Sequence, residues 1–549
     1  MKNIIYCCLA GCLFFFSSCE EDFLDRSPTD QLTNENFWET EEQLILAANG
    51  LYANVKAKNT VDMENMGDNT LWPSSTQYQQ IGSGNYGPDQ NTLNTEWTTQ
   101  YRGVRQANAF LENYHKATLH DPALAERLAA EVRVIRALMY SYLTNFWGDV
   151  PLVTETLTIE ELMVPRDPQE EVVDFLLNDL EDAAMNLPSE IPSGEDLGRM
   201  NRGAALALKA RIALYSGRFE VAEKAARDVM DMGVYELFDT GNPERNYYDL
   251  FTYAGKLSTG NNKETIIART SLMEVDMHNL SREIHVPDQV IRWNPTKSLV
   301  DSYLMIDGLP IEDSPLYGVE NYQDVFENRD PRMSQTILEP GAEWGGRYDG
   351  QEVNETPEIF RIPKFLSDRR GAVTLTGYYF TKYAELSAVP TYRRDANDFH
   401  LLRYAEVLLT YAEAKLEQGT LTQEDLDKSI NLLRDRVGMK HMVISEIEAN
   451  GLDLREEIRR ERRVELALEG QRYFDIKRWK KGELLALDVK GTNVNWLPNP
   501  DTAGNLRTDE EGFIIAHTGR TFDPSRHYLW PVPLPQLERN PDLTQNPGW

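Results

Sequence analysis

The sequence predicts a mainly α protein: a helical-repeat scaffold that carries long irregular loop insertions and a few short strands. Three features carry that prediction. Apolar residues recur at helical spacing in several long segments. One pair of segments has the small-residue pattern of closely packed antiparallel helices. The stretches between them are rich in Gly, Pro, Asn and Ser, which punctuate regular structure.

In chain order, a helix is expected from Glu41 to about Lys56, followed by a polar loop over 59–94. The segments Trp97 to Tyr114 and Pro122 to Phe146 read as a helix pair. Asp167 is expected to cap the next helix, with Pro168 at its first position and Glu170 and Glu171 in its first turn. The apolar face of that helix is Val172, Phe175, Leu176, Leu180, Ala183 and Leu187.

Residues 201–237 form the clearest repeat unit. One helix holds Leu206, Ala210, Ala213 and Leu214, a Gly217-Arg218-Phe219 turn follows, and a second helix holds Ala222, Ala225, Ala226 and Val229. Small residues at Ala210 and Ala222 let two helices approach closely, which is tetratricopeptide logic with a period of about 34 residues. A similar pair recurs at 401–416 and 425–436, and a charged helix runs from Asp453 to about Gly470. Residues 41–549 therefore read as one domain, with helical repeats over about 41–237 and 399–482. Loop-rich insertions fall at about 59–94, 238–398 and 491–549. Insertions of that length are usually functional.

The first 18 residues read as a secretory signal: Lys2, an apolar run from Ile4 to Phe16, and the small residues Ser17 and Ser18. The run falls short of the about 20 residues that span a bilayer. Cys19 at that junction implies a bacterial lipoprotein with its lipid on Cys19, and residues 19–40 as a tether. Leu9-Ala10-Gly11-Cys12 fits the usual lipoprotein box better, but cleavage there would leave Phe14, Phe15 and Phe16 on the mature chain, so Cys19 is preferred. Each acyl methylene buried in a membrane adds about 0.8 kcal/mol. Glu20, Glu21 and Asp22 have two readings, a surface-export signal and a solvated tether. The other cysteines, Cys7, Cys8 and Cys12, lie within the signal, so a mature chain starting at Cys19 has no thiol for disulfides, metal ligation or catalysis.

A net charge of −32 opposes nucleic acid and anionic membrane surfaces as partners. Gly82-Ser83-Gly84-Asn85-Tyr86-Gly87 matches a dinucleotide fingerprint but sits in a polar loop, without the strand and helix such a site needs. No cofactor is expected. A structural calcium ion around Asp509-Glu510-Glu511-Gly512 is one reading of that acidic run, and a solvated charge run is the other. Glu461, Glu465 and Glu469 share one helical stripe and read as ion-pair partners of arginines such as Arg462, Arg472 and Arg478, not as catalytic carboxylates; no catalytic residue is assigned.

The order and spacing of further motifs are specific. They include Asp22-Phe23-Leu24-Asp25 with Pro28, Glu96-Trp97, Glu131-Val132-Arg133, Phe146-Trp147-Gly148-Asp149 and Asp330-Pro331-Arg332. Farther on come Leu402-Arg403-Tyr404-Ala405-Glu406, Glu461-Arg462 with Glu465 and Glu469, and the closing Asn546-Pro547-Gly548-Trp549. Together they resemble the SusD/RagB family over almost the whole chain. The resemblance implies a glycan-binding face built from loops, and a SusC-like TonB-dependent outer-membrane transporter as the partner that receives the cargo. An oligopeptide cargo is the alternative within the same family, and a glycoside hydrolase and a protein-binding tetratricopeptide scaffold are the further alternatives.

A sugar ring offers an apolar C–H face and a rim of hydroxyls, which aromatic planes and amide or carboxylate groups match. On that logic the candidate ligand contacts are Asp68, Asn69, Trp72, Tyr78 and Tyr86 in the first insertion, then Trp293, Trp344 and Tyr348. The competing reading is that each aromatic ring pins its loop to the scaffold. Trp97, Trp147 and Trp479 are expected to be packing residues.

Overall fold

The computed structural model describes residues 37–73, 77–285, 291–346, 358–365, 373–499 and 506–549. The signal segment, Cys19, the tether up to residue 36, and Tyr348 lie outside the described residues. Among the described residues no helix is long and apolar enough to cross a membrane.

The main helices are α1 (Glu41–Leu51), α2 (Asn91–Asn113), α3 (Pro122–Trp147), α4 (Gln169–Asn186), α5 (Arg202–Tyr215), α6 (Phe219–Asp231), α7 (Tyr404–Glu417) and α8 (Leu454–Glu465). From α2 onward each packs on the next, so they stack as a solenoid of antiparallel layers, the mainly α, tetratricopeptide-like architecture expected from the sequence. Their ends are set locally. The Thr40 hydroxyl accepts from Gln43 N–H while the Gln43 side chain returns the bond, and the Asn201 side chain accepts from Ala204 N–H. Between α5 and α6, Gly217 takes a left-handed φ of +74°, and Arg218 N–H closes on Ala213 C=O at 2.8 Å. Ala210, Ala213, Ala222 and Ala226 are buried at the α5–α6 interface, as their small size allows.

One expected cap is different. Helix α4 starts at Gln169, one residue after Pro168, and Asp167 does not cap it. Asp167 instead bridges Val150 through its backbone, and its carboxylate accepts from Leu152 N–H at 2.6 Å. The free N–H of Gln169 goes to Asp149 at 2.9 Å. A long-range acceptor took the place of the adjacent one. The apolar stripe of α4 is buried as read, with Phe175 half-buried; each fully buried Val or Leu in it contributes about 1.5–3 kcal/mol over leaving it exposed.

The chain leaves the solenoid after α6 and returns at α7. The excursion is clamped at its base by an antiparallel pair, Thr265–Arg269 with Phe399–Arg403. The other strands also form two-stranded pairs, such as Thr70–Leu71 with Asn294–Pro295 and Val489–Asn493 with Phe513–His517.

A buried ionic hub joins excursion to solenoid. Arg403, with no exposed surface, meets Glu264 (2.7 Å), Glu465 (2.7 Å) and Glu469 (2.8 Å). Arg332 meets Asp330, Glu461 and Glu465 at 2.6–3.0 Å. Arg434 pairs with Glu461, Arg436 with Glu465, and Lys382 with Glu469. The glutamate stripe therefore is an ion-pair array, but its partners are not the expected ones. Arg462 goes to Asp475, Arg472 to Asp68, and Arg478 to Glu413. Helical spacing puts three glutamates on one face and says nothing about which distant arginines arrive there. Burial works to raise the Glu465 carboxyl, yet Arg436, Arg403 and Arg332 hold it well below the carboxylate range. Burial lowers Lys382 to about 8 despite Glu469 beside it.

Candidate binding cleft

The expected polar loop over 59–94 is a wall of the molecule, not a free loop. It folds into the short helices Asn59–Asp62 and Gln77–Gly82, a 3-10 turn at Met63–Met66 and the strand Thr70–Leu71. Several of its polar side chains, among them Glu64, Asn65, Asn69 and Gln79, are buried and bond one another or the local backbone. Asn69 Nδ2 donates to Glu64 at 2.6 Å, Thr70 Oγ1 donates to Asn65 at 2.9 Å, and Trp72 N–H donates to Gln79 Oε1 at 2.6 Å.

The strand Thr70–Leu71 pairs antiparallel with Asn294–Pro295, Thr70 opposite Pro295 and Leu71 opposite Asn294. The next position in that register sets Trp72 against Trp293, and their ring centroids lie 5.7 Å apart with planes at 60°. Asn294 Nδ2 donates to Leu71 C=O at 2.9 Å, and Thr296 N–H to Asn69 C=O at 3.0 Å, which locks the register. Trp293 is buried, with the Lys58 ammonium 5.4 Å from its ring. Trp72 is half-buried on top of it, with the Arg292 guanidinium 5.4 Å from its ring.

A cleft of about 650 Å³ opens beside Trp72. One wall comes from residues 53–59 after α1, the second from Gln77 and Tyr78, and the third from the stripe Thr92, Thr95, Thr99 and Arg102 of α2. Arg269 closes one end. On the floor, Glu96 accepts from Lys56 Nζ at 2.7 Å, from Tyr78 Oη at 2.6 Å and from Gln100 Nε2 at 2.9 Å. Burial would raise the Glu96 carboxyl; Lys56 and these donors hold it below its ordinary value. The Tyr78 hydroxyl is driven well above 10 by burial and by Glu96. Burial also raises Asp62, which Lys58 only partly offsets from 3.2 Å.

Of the sequence-derived candidates, Trp72 and Tyr78 line this cleft, and Trp293 backs it without an open face. The others go elsewhere. Asp68 is held by Arg472 (2.7 Å) and Arg463 (3.2 Å). Burial would raise its carboxyl, but those two guanidinium groups keep it well below the usual range. It borders a separate cavity of about 830 Å³, with Lys297, Arg460 and Lys490. Asn69 is buried between Glu64 and Arg463. Tyr86 packs on His527 and Trp549, fastening the C-terminal segment. Trp344 has no exposed surface and is wedged among Phe360 and Tyr379. In this structure these four side chains are engaged in packing, hydrogen bonds or ion pairs away from the Trp72 cleft, with Asp68 at the edge of the second cavity. Trp97 and Trp147 are buried, and Trp479 is half-buried with Nε1 donating to Glu413.

The sequence reading missed Lys56, Asn54, Arg269 and the α2 stripe. Thr92, Thr95 and Thr99 recur at helical spacing on a helix of otherwise mixed polarity, and that stripe was the available signal. Asp509 accepts from Glu511 and Phe513 N–H and pairs with Lys490, so it is used in the turn. Among the described residues no group of three or more His, Cys, Asp or Glu could hold a metal ion.

The described residues thus form a helical-repeat solenoid with a polar cleft beside Trp72. Two family models match the chain, the "SusD family" over residues 289–549 and "Starch-binding associating with outer membrane" over residues 22–214. The protein belongs to the SusD/RagB family. The SusD-like protein P25 of Formosa agariphila is 24% identical over 563 residues, covering 97% of this chain and 96% of that one. A SusD-like carbohydrate binding protein of Bacteroides fragilis is 29% identical, with a TM-score of 0.76 over 92% of this chain and 100% of that one. A SusD-like protein of the same species is 27% identical, with a TM-score of 0.77 over 95% of this chain and 100% of that one.

Proposed function

We propose that this protein is a cell-surface lipoprotein that captures oligosaccharides in the Trp72 cleft and passes them to a SusC-like TonB-dependent transporter. The observation that carries the proposal is the placement of Trp72. Its ring is half-exposed and fixed by strand register over Trp293, and threonine hydroxyls and amide groups lie across the cleft from it. A sugar stacked on the indole would present its hydroxyl rim to Asn54, Gln77, Thr95 and Thr99. The carbohydrate-binding name of the Bacteroides fragilis relative and the starch-binding description of the N-terminal family model support this reading.

The cleft binds without chemistry in this account. Glu96 accepts from Lys56, Tyr78 and Gln100, and Asp62 pairs with Lys58, so both carboxyls among the described residues lining the cleft already have partners. A lipid on Cys19 keeps receptor and transporter in one plane and so raises their effective concentration.

Affinity electrophoresis of the purified protein through polysaccharide gels tests capture, with chromatography of the polysaccharide afterwards. Retardation without released sugars is expected. Release of reducing ends, or retention by oligopeptides only, overturns the reading. Cys19→Ala is expected to abolish labelling by a fatty-acid analogue in the native host, whereas persistence of the label would move the anchor to another residue.

A further inference from the structure

We infer that the ligand of this cleft is an acidic oligosaccharide, one bearing uronate carboxylates or sulfate esters. The inference rests on the glycan-binding reading above and narrows it. Its starting point is Arg102, which lines the cleft, is exposed, and has no ion pair or hydrogen bond among the described residues. Arg105, one turn farther along α2, is likewise exposed and unpaired. Gln106 beside it bonds Asn54 of the opposite wall at 2.8 Å, which ties this turn to the cleft rim.

Two like charges three residues apart on a helix repel each other, and a neighbouring carboxylate ordinarily relieves this. Here none does, in a chain that carries 88 acidic against 56 basic residues. Most other cations of the region are matched. Lys56 meets Glu96, Lys58 meets Asp62, and Arg292 meets Glu283 at 2.7 Å. Arg269 pairs with the exposed Asp276 at 3.2 Å and donates to Tyr52 C=O at 2.9 Å. The cleft thus carries surplus positive charge on a molecule of net charge −32. Such a protein repels anions over most of its surface, so an anionic ligand needs a local field of opposite sign to enter. Arginine suits the task, because its planar fork meets a carboxylate or sulfate in two parallel bonds and it stays ionised. Trp72 would take the sugar face while Arg102 and Arg105 take the acid group.

The test is affinity electrophoresis of the purified full-length protein in detergent. The gels hold alginate, polygalacturonate, chondroitin sulfate or carrageenan, set against starch, dextran, laminarin and mannan. Each anionic polymer found to bind is then repeated in carboxyl-reduced or desulfated form, which separates uronate from sulfate recognition. We expect retardation by an anionic polymer, loss of retardation when its charge is removed, and weakening with salt. Arg102→Ala with Arg105→Ala should weaken binding by about tenfold or more with an unchanged melting temperature. Binding of a neutral polymer as tight as that of any acidic one, or an indifferent double variant, overturns the acidic ligand and leaves glycan capture standing. No retardation by any polymer overturns both.

Discussion

In the buried hub the Arg403 guanidinium has no exposed surface and meets three carboxylates; lining the cleft, Arg102 is exposed and meets none among the described residues. Aromatic groups differ in the same way. Tyr247 in the hub is buried, with Lys382, Arg403 and Arg436 around its ring, whereas Trp72 is half-buried and lines the cleft. The hub uses charge to specify one arrangement of solenoid and excursion, since a buried charge without its partner is costly. The cleft leaves Arg102 without a carboxylate partner among the described residues and Trp72 half-buried, which is what the proposed capture of a ligand uses.

The contrast is breakable by substitution, and the largest effect belongs to the hub. Arg403→Ala leaves Glu264, Glu465 and Glu469 short of a shared partner and should destabilise the fold by about 3–5 kcal/mol. Urea unfolding reads this directly, and an unchanged midpoint would mean the hub is incidental to stability.

Acid tests a second buried group. His285 is fully buried, with Nδ1 accepting from Gly345 N–H at 3.2 Å and Nε2 donating to Phe380 C=O at 3.1 Å. Burial lowers it to about 4, against an ordinary value of 6.5. The unfolded chain therefore takes up this proton first as the pH falls. The stability from His285 is fully present above 6.5 and is lost between 6.5 and 4, on the order of 3 kcal/mol in all. His285→Gln should flatten the fall of melting temperature across that window; equal slopes in both proteins would contradict the assignment.

The cleft comes next. Trp72→Ala should weaken glycan binding about 10- to 100-fold, or roughly 1.4–2.8 kcal/mol, with the fold retained. Titration calorimetry beside circular dichroism separates the two effects. Tyr78→Phe removes one of three donors to Glu96 and should cost about 1–2 kcal/mol of stability while sparing affinity. The smallest expectation concerns the turn at Asp509. Neither calcium nor a chelator should shift the melting temperature, and a shift with calcium would restore the metal reading of that segment.

The periodic parts of the chain were legible because helical spacing reports directly on a buried face. The α5–α6 pair and the apolar stripe of α4 follow from residues within one or two turns of each other. The glutamate stripe was half legible: Glu461, Glu465 and Glu469 share a face, but Arg332, Arg403 and Arg436 come from segments that no local pattern connects. The 59–94 segment misled for a related reason. Its Asn, Gln and Glu side chains look solvent-facing by composition, yet Glu64, Asn65, Asn69 and Gln79 are buried and hydrogen-bonded within the segment. Trp72 was found by chemistry alone, while its pairing with Trp293 depends on a two-residue strand register that leaves no trace in either segment.

A crystal structure of the protein with an oligosaccharide selected on the polysaccharide gels would test the central claim most directly. The account predicts an intact sugar lying against the open face of Trp72, with its polar rim toward α2. Sugar bound at the cavity beside Asp68 and Arg460 with the Trp72 cleft empty, or a cleaved sugar in the cleft, would contradict it.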